Sequence, residues 1–152
     1  LSDAERPLSA RGKQVARAMG RRLAARGMKP DLIISSPALR ARATARRLAR
    51  QIGYRRGAIV EAPGLYEATL PGLLEFVSGL DDAAARVMLV GHNPSLSLLA
   101  GHFWPAAGEL PTGAVLRLDL PAKSWAAAVR CAPLALTLDI PRLRPPADVV
   151  AC

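Results

Sequence analysis

Two short apolar runs, each leading straight into a helix-starting signal, constrain this chain more than any other feature. Leu32-Ile33-Ile34 runs into Ser35-Ser36-Pro37, and Arg86-Val87-Met88-Leu89-Val90 runs into Gly91-His92-Asn93-Pro94. Runs of this length and apolarity suit strands buried on both faces. Ser and Asn are favoured helix N-caps, and Pro is favoured at the first helical position because its missing N–H would have had no partner there. Each block therefore predicts a strand that passes directly into a helix, with Ser36 and Asn93 as caps. Repetition of that unit predicts an α/β fold: a mainly parallel sheet sandwiched by helices.

The rest of the chain fits the same plan. Ser9 caps a helix that runs to Gly27, with Val15, Met19 and Leu23 recurring every fourth residue. The helix after Ser36-Pro37 reaches Ile52-Gly53, Ala58-Ile59-Val60 reads as another strand, and Gly72 to Leu80 as a short helix. Leu96, Leu99 and Phe103 supply the apolar face of the helix after Asn93. Beyond Thr112-Gly113 the pattern turns to β: Val115, Leu116, Leu118 and Leu120, then Trp125 to Cys131, then Leu134 to Ile140, expected as C-terminal antiparallel or edge strands. Residues 1–141 are expected to form one domain, and Arg142 to Cys152, with Pro145-Pro146, a tail.

With 152 residues, 51% of them apolar, the chain can bury a core unaided by disulfides or metals. Cys131 and Cys152 fit neither a disulfide framework nor a metal-ligand spacing, so no metal and no cofactor are expected, and a reducing, cytoplasmic setting is. No apolar run approaches the roughly 18 to 20 residues that span a bilayer, and nothing resembles a signal peptide, so no membrane association is expected. The chain opens Leu1-Ser2-Asp3 rather than with methionine, which leaves room for a segment upstream.

A net charge of +9 raises the possibility of nucleic-acid binding. The charges argue against it. Arg11, Lys13, Arg17, Arg21, Arg22 and Arg26 fall in one helical segment and Arg40, Arg42, Arg46, Arg47 and Arg50 in another, interleaved with apolar positions, as on the solvated faces of amphipathic helices. Few aromatics are available for base stacking, so no nucleic-acid partner is expected.

Ligands of open α/β sheets collect at the carboxyl ends of strands, where helix N-termini offer free N–H groups and partial positive charge. Both junctions carry side chains suited to an oxyanion. Arg40 stands about one turn into its helix, placed to reach back as a bidentate clamp. Gly91 permits a close approach beside His92. Either residue alone fits a solvated helix face or a satisfied histidine; their placement at two equivalent strand ends favours a phosphate site. Neither junction is a glycine-rich nucleotide loop.

The blocks Ser36-Pro37-Ala38-Leu39-Arg40-Ala41-Arg42-Ala43-Thr44-Ala45 and Val90-Gly91-His92-Asn93-Pro94 resemble two motifs of the histidine phosphatase superfamily, whose fold is phosphoglycerate mutase-like. Pro7-Leu8-Ser9-x-x-Gly12, Leu65-Tyr66-Glu67-Ala68 and Leu110-Pro111-Thr112-Gly113-Ala114 resemble the SixA-like branch of phosphohistidine phosphatases. Ala43 stands where the family often has glutamine. The family's Arg-His-Gly or Arg-His-Ala motif, with its first strand, would lie upstream of Leu1.

The resemblance implies a phosphatase that transfers a phosphoryl group to an enzyme histidine and then hydrolyses that phosphohistidine, with no metal. Arg40 and His92, the latter protonated or donating a hydrogen bond, would be catalytic, Glu67 a candidate general acid, and Ser36 and Asn93 substrate-binding. His102, near Phe103 and Trp104, is expected to be structural. The implied substrate is a phosphorylated protein of the histidine-phosphotransfer type in signal transduction. The alternatives are a small phosphate ester and a non-catalytic phosphoprotein-binding domain. Without the nucleophile segment the chain is expected to be inactive, and its oligomeric state stays open.

Overall fold

A computed structural model describes residues 1–141; residues 142–152, assigned above to a tail, lie outside the described residues. The elements are α1 (Ala10–Ala25), β1 (Leu32–Ser35), α2 (Leu39–Ile52), β2 (Val60–Glu61), α3 (Leu70–Ser78), β3 (Val87–Val90), α4 (Ser95–Phe103), β4 (Val115–Asp119), α5 (Trp125–Ala128) and β5 (Ala135–Asp139), with 3-10 turns at Asp3–Glu5, Arg56–Ala58 and Pro63–Leu65. Strands β2, β1 and β3 form a parallel sheet in that order, and β4 pairs antiparallel with β5. The mainly parallel α/β plan and the antiparallel C-terminal strands are as the sequence predicts.

Strand alternation divides the core. Ile33, Met88 and Val90 face α1 and α2, where Met19, Leu23, Ala41, Ala45, Leu48 and Ala49 close over them. Ile34, with Leu32, Val87 and Leu89, faces the other way, onto Leu65, Leu73, Phe76 and Leu99. Burial at Leu23, Ile33, Leu65 and Leu73 is complete or nearly so, and each contributes roughly 1.5–3 kcal/mol. Helices α1 and α2 approach closely: a Cβ on Gly20 would stand 2.8 Å from Gln51 Cβ.

Several expected boundaries shift, each for a local reason. Ser36 N–H continues the strand ladder to the Val90 carbonyl (2.9 Å) and its Oγ accepts from Ala38 N–H (3.2 Å), so α2 starts at Leu39 with Ala38 as its N-cap. The N–H groups of Ala58 and Ile59 close a 3-10 turn on Arg55 and Arg56, which delays β2 to Val60. Thr69 Oγ1 caps Gly72 N–H (3.2 Å), and α3 begins at Leu70, ahead of Gly72. Asn93 is not the cap of α4; Pro94 holds that position.

Trp125 to Cys131 corrects the sequence reading outright: it opens with the short helix α5 rather than forming a strand. Ser124 Oγ accepts from Ala127 N–H (3.1 Å), and the three consecutive alanines favour helix once capped. Trp125 is fixed by Asp82 Oδ1 on its backbone N–H (2.8 Å) and by the Ala84 carbonyl on its indole N–H (2.9 Å). The arginines of the first helical segment are not all unpaired either. Arg22 and Arg26 pair with buried Asp139, and Arg22 Nη1 donates to the Ile140 carbonyl (2.7 Å), tying α1 to β5.

Candidate active site

Parallel pairing of β1 with β3, Ser35 opposite Val90, brings the two strand-to-helix junctions side by side. Ser36 is fully buried there, and its Oγ lies 2.7 Å from His92 Nε2. Half-buried His92 meets the ring edge of Tyr66 with centroids 5.5 Å apart and planes at 88°. Arg40, the second residue of α2, turns toward the 3-10 turn at Asp3–Glu5: Nη1 donates to the Asp3 carbonyl (2.7 Å) and Nη2 to Asp3 Oδ2 (3.1 Å). Tyr66 O–H donates to the same Oδ2 (2.7 Å), and Arg6 Nη2 to Oδ1 (3.1 Å). Arg40 and His92 thus belong to one connected cluster, joined through Asp3 and Tyr66.

The titration of these groups follows from their contacts. The Tyr66 hydroxyl, then the Arg40 guanidinium, holds the Asp3 carboxyl below its usual range. That hydrogen bond in turn raises the Tyr66 phenol, and the nearby Glu67 charge adds to the effect. Burial, then the Arg40 charge, lowers His92, with Asp3 opposing. In the unliganded site these two causes disfavour the protonated form of His92.

Not every expected residue joins the cluster in the expected way. Asn93 Nδ2 donates to the Leu110 carbonyl (2.7 Å), and its Oδ1 accepts from Ser97 Oγ (2.7 Å), which itself takes Leu110 N–H (2.9 Å). Its amide fastens the Leu110 loop to α4. Glu67, next in the chain to Tyr66, is exposed at a left-handed φ of 51°, a conformation costing a β-carbon-bearing residue about 1 kcal/mol or more. Arg42, expected on the solvated face of α2, has its Nε 2.9 Å from Glu61 Oε1, with the N–H directed off that line. His102 sits at the far end of α4, where Nε2 bonds to the Val129 carbonyl (2.6 Å) and the ring meets Phe103 edge-on, a structural setting.

Asp3 and Arg6 were not singled out by sequence reasoning, and Tyr66 only as part of a family block. An acid and a base three residues apart just before Pro7 offer a faint signal. Nothing local reveals that they meet Arg40. Among the described residues no three His, Cys, Asp or Glu side chains gather where they could share a metal ion, and no helix is long and apolar enough to cross a membrane.

Residues 2–75 match the model of the histidine phosphatase superfamily, branch 1. A chain assigned as the phosphohistidine phosphatase SixA of Agrobacterium tumefaciens superposes with TM-score 0.72 at 25% identity, over 90% of this chain and 86% of that one. Over residues 2–75 the chain is similar to the histidine phosphatase superfamily. The match supports phosphatase chemistry, that of a hydrolase. The protein histidine phosphatase SixA in complex with tungstate shares its fold at TM-score 0.73 and 20% identity, over 91% of this chain and 85% of that one. A chain assigned as SixA of Nakamurella multipartitia does so at 0.73 and 20%, over 93% and 88%. No curated protein matches the chain.

Proposed function

We propose that this phosphatase removes the phosphoryl group from a phosphohistidine carried on a protein, with Arg40 and His92 as the phosphate-binding half of its site. The observation that supports the reading is the Ser36–His92 contact at 2.7 Å, which joins the two junctions beside Arg40. The phosphoryl group in transfer spreads charge over its equatorial oxygens, so catalysis rests on donors held in place before it arrives. Arg40 supplies a guanidinium fork and His92 an imidazole that gains a proton as the anion binds. Ser36 orients His92, Asn93 supports the neighbouring loop, and Glu67, next in the chain to Tyr66, is the candidate carboxylate for a proton to the leaving group.

The nucleophile in this mechanism is a histidine in an Arg-His-Gly or Arg-His-Ala motif, and neither motif occurs in the 152 residues. Its imidazole nitrogen would take the phosphoryl group from the substrate imidazole, and water would then release inorganic phosphate. Turnover therefore requires this chain joined to a segment bearing the motif; by itself the chain binds oxyanions without turning over. The alternative reading is a phosphoprotein-binding domain without catalysis.

A protein substrate is supported by how little chain could roof the site. Only Ala62–Thr69 separates β2 from α3, and one turn of it is 3-10, so a partner's own surface would have to exclude water where a lid otherwise does. Exposed Arg17 and Arg46 on the helix faces would steer an acidic partner. Soluble, cytoplasmic signalling fits this partner. The test is kcat/KM for a phosphorylated histidine-phosphotransfer protein against a small phosphate ester, on one preparation of the motif-bearing enzyme. Higher efficiency on the protein, falling with added salt, is expected. Higher efficiency on the ester would favour a small-molecule phosphomonoesterase, and inactivity on both the binding domain.

A further inference from the structure

We propose that Asp3 is a positioning residue for Arg40, aiming the guanidinium at the anion, and that Tyr66 links this grip to His92. The inference rests on the phosphate-site reading above and assigns work to residues outside its motifs. Asp3 holds the guanidinium at two points, the carbonyl on Nη1 at 2.7 Å and Oδ2 on Nη2 at 3.1 Å. Two contacts from one residue fix the plane of the fork as well as its position. Arginine has five N–H donors, so three remain for an anion.

Asp3 is itself immobilised. Oδ1 is held by Arg6 at 3.1 Å and Oδ2 by Tyr66 at 2.7 Å. Its carbonyl also takes Arg6 N–H (3.2 Å), while Glu5 Oε2 reaches back to Ser2 N–H (3.1 Å) and closes the turn. The Tyr66 ring rests against His92. One residue therefore sets the relative placement of both phosphate-binding side chains, which stand at different strand-to-helix junctions. The carbonyl contact separates this arrangement from a carboxylate merely occupying the phosphate position, because an anion mimic needs no backbone oxygen.

The two ideas predict opposite signs. Tungstate binding to the chain is measured by titration calorimetry for the parent, Asp3→Ala, Asp3→Asn, Tyr66→Phe and Arg40→Ala proteins, with the Arg40 guanidinium followed by NMR. Asp3→Ala is expected to weaken tungstate about tenfold, the scale of one charge-assisted hydrogen bond, with an unchanged far-UV spectrum. Asp3→Asn, which keeps an acceptor oxygen, should recover most of that loss. The Arg40 guanidinium signals, slowed by the grip in the parent, should sharpen and average in Asp3→Ala. Unchanged or tighter tungstate binding in Asp3→Ala overturns the proposal, tighter binding marking Asp3 as a competitor. Should Arg40→Ala bind tungstate as the parent does, the phosphate-site reading fails. The guanidinium signals then decide alone, and if they are the same with and without Asp3 the positioning role falls too.

Discussion

Arg40→Ala is the substitution that bears most directly on the site. Asp3 takes two of the five guanidinium N–H donors, at 2.7 and 3.1 Å, and three remain to donate to an anion. Each charge-assisted hydrogen bond of that kind is worth roughly 1.5–3 kcal/mol. Two to a phosphoryl group would give about 3–6 kcal/mol before correction. The side chain keeps 22% of its exposure, so water competes for the anion, and a net of about 3 kcal/mol is the reasonable scale. That corresponds to roughly a 100-fold loss of oxyanion affinity, or of kcat/KM in the motif-bearing enzyme. Arg40→Lys keeps the charge and loses the planar fork, so it should fall between, at about tenfold. Calorimetry with tungstate measures the first quantity and single-preparation kinetics the second. A change below threefold for Arg40→Ala, with its melting temperature unchanged, would refute the clamp and leave Arg40 a link between α2 and the Asp3 turn.

Two other outcomes are expected. Burial and the Arg40 charge hold His92 below its ordinary value, and its protonated form adds both charge and a donor. Sulfate, whose own charge is constant over the range, should therefore bind more tightly as pH falls from about 6.5 through the lowered His92 value, and His92→Gln should flatten the profile. By linkage the same depressed value makes the unliganded fold lose stability as pH falls through that window, because the unfolded chain takes the proton more readily; a free fold whose His92 titrates above the ordinary value by NMR would contradict both. Gly20→Ala sets a helix-propensity gain of about 1 kcal/mol against a Cβ placed 2.8 Å from Gln51 Cβ and Cγ. Displacing α1 from α2 should win, costing a net 1–2 kcal/mol by about the scale of overpacking, and a rise in melting temperature would show that the interface yields.

The elements that local patterning controls were legible in the sequence. The four-residue recurrence of Val15, Met19 and Leu23 marks α1, and the run from Val87 to Val90 marks β3, because helix and strand periodicity depend on residues close in the chain. Where neighbouring backbone groups competed for the same hydrogen bonds, boundaries moved: Ser36 N–H went to Val90 across the sheet, and α2 began at Leu39 instead of Pro37. Trp125 to Cys131 was misread because its alanines suit either pattern until Ser124 caps them and Asp82 and Ala84 anchor Trp125. Arg40 and His92 could be picked out one junction at a time, since each follows its own strand. Their assembly could not be, because Asp3, Arg40, Tyr66 and His92 are dozens of residues apart, and only the parallel pairing of β1 with β3 and the folding of the first turn against α2 bring them together. Contacts at that separation depend on loop closure and the packing of whole elements, for which no local stretch of sequence carries a pattern.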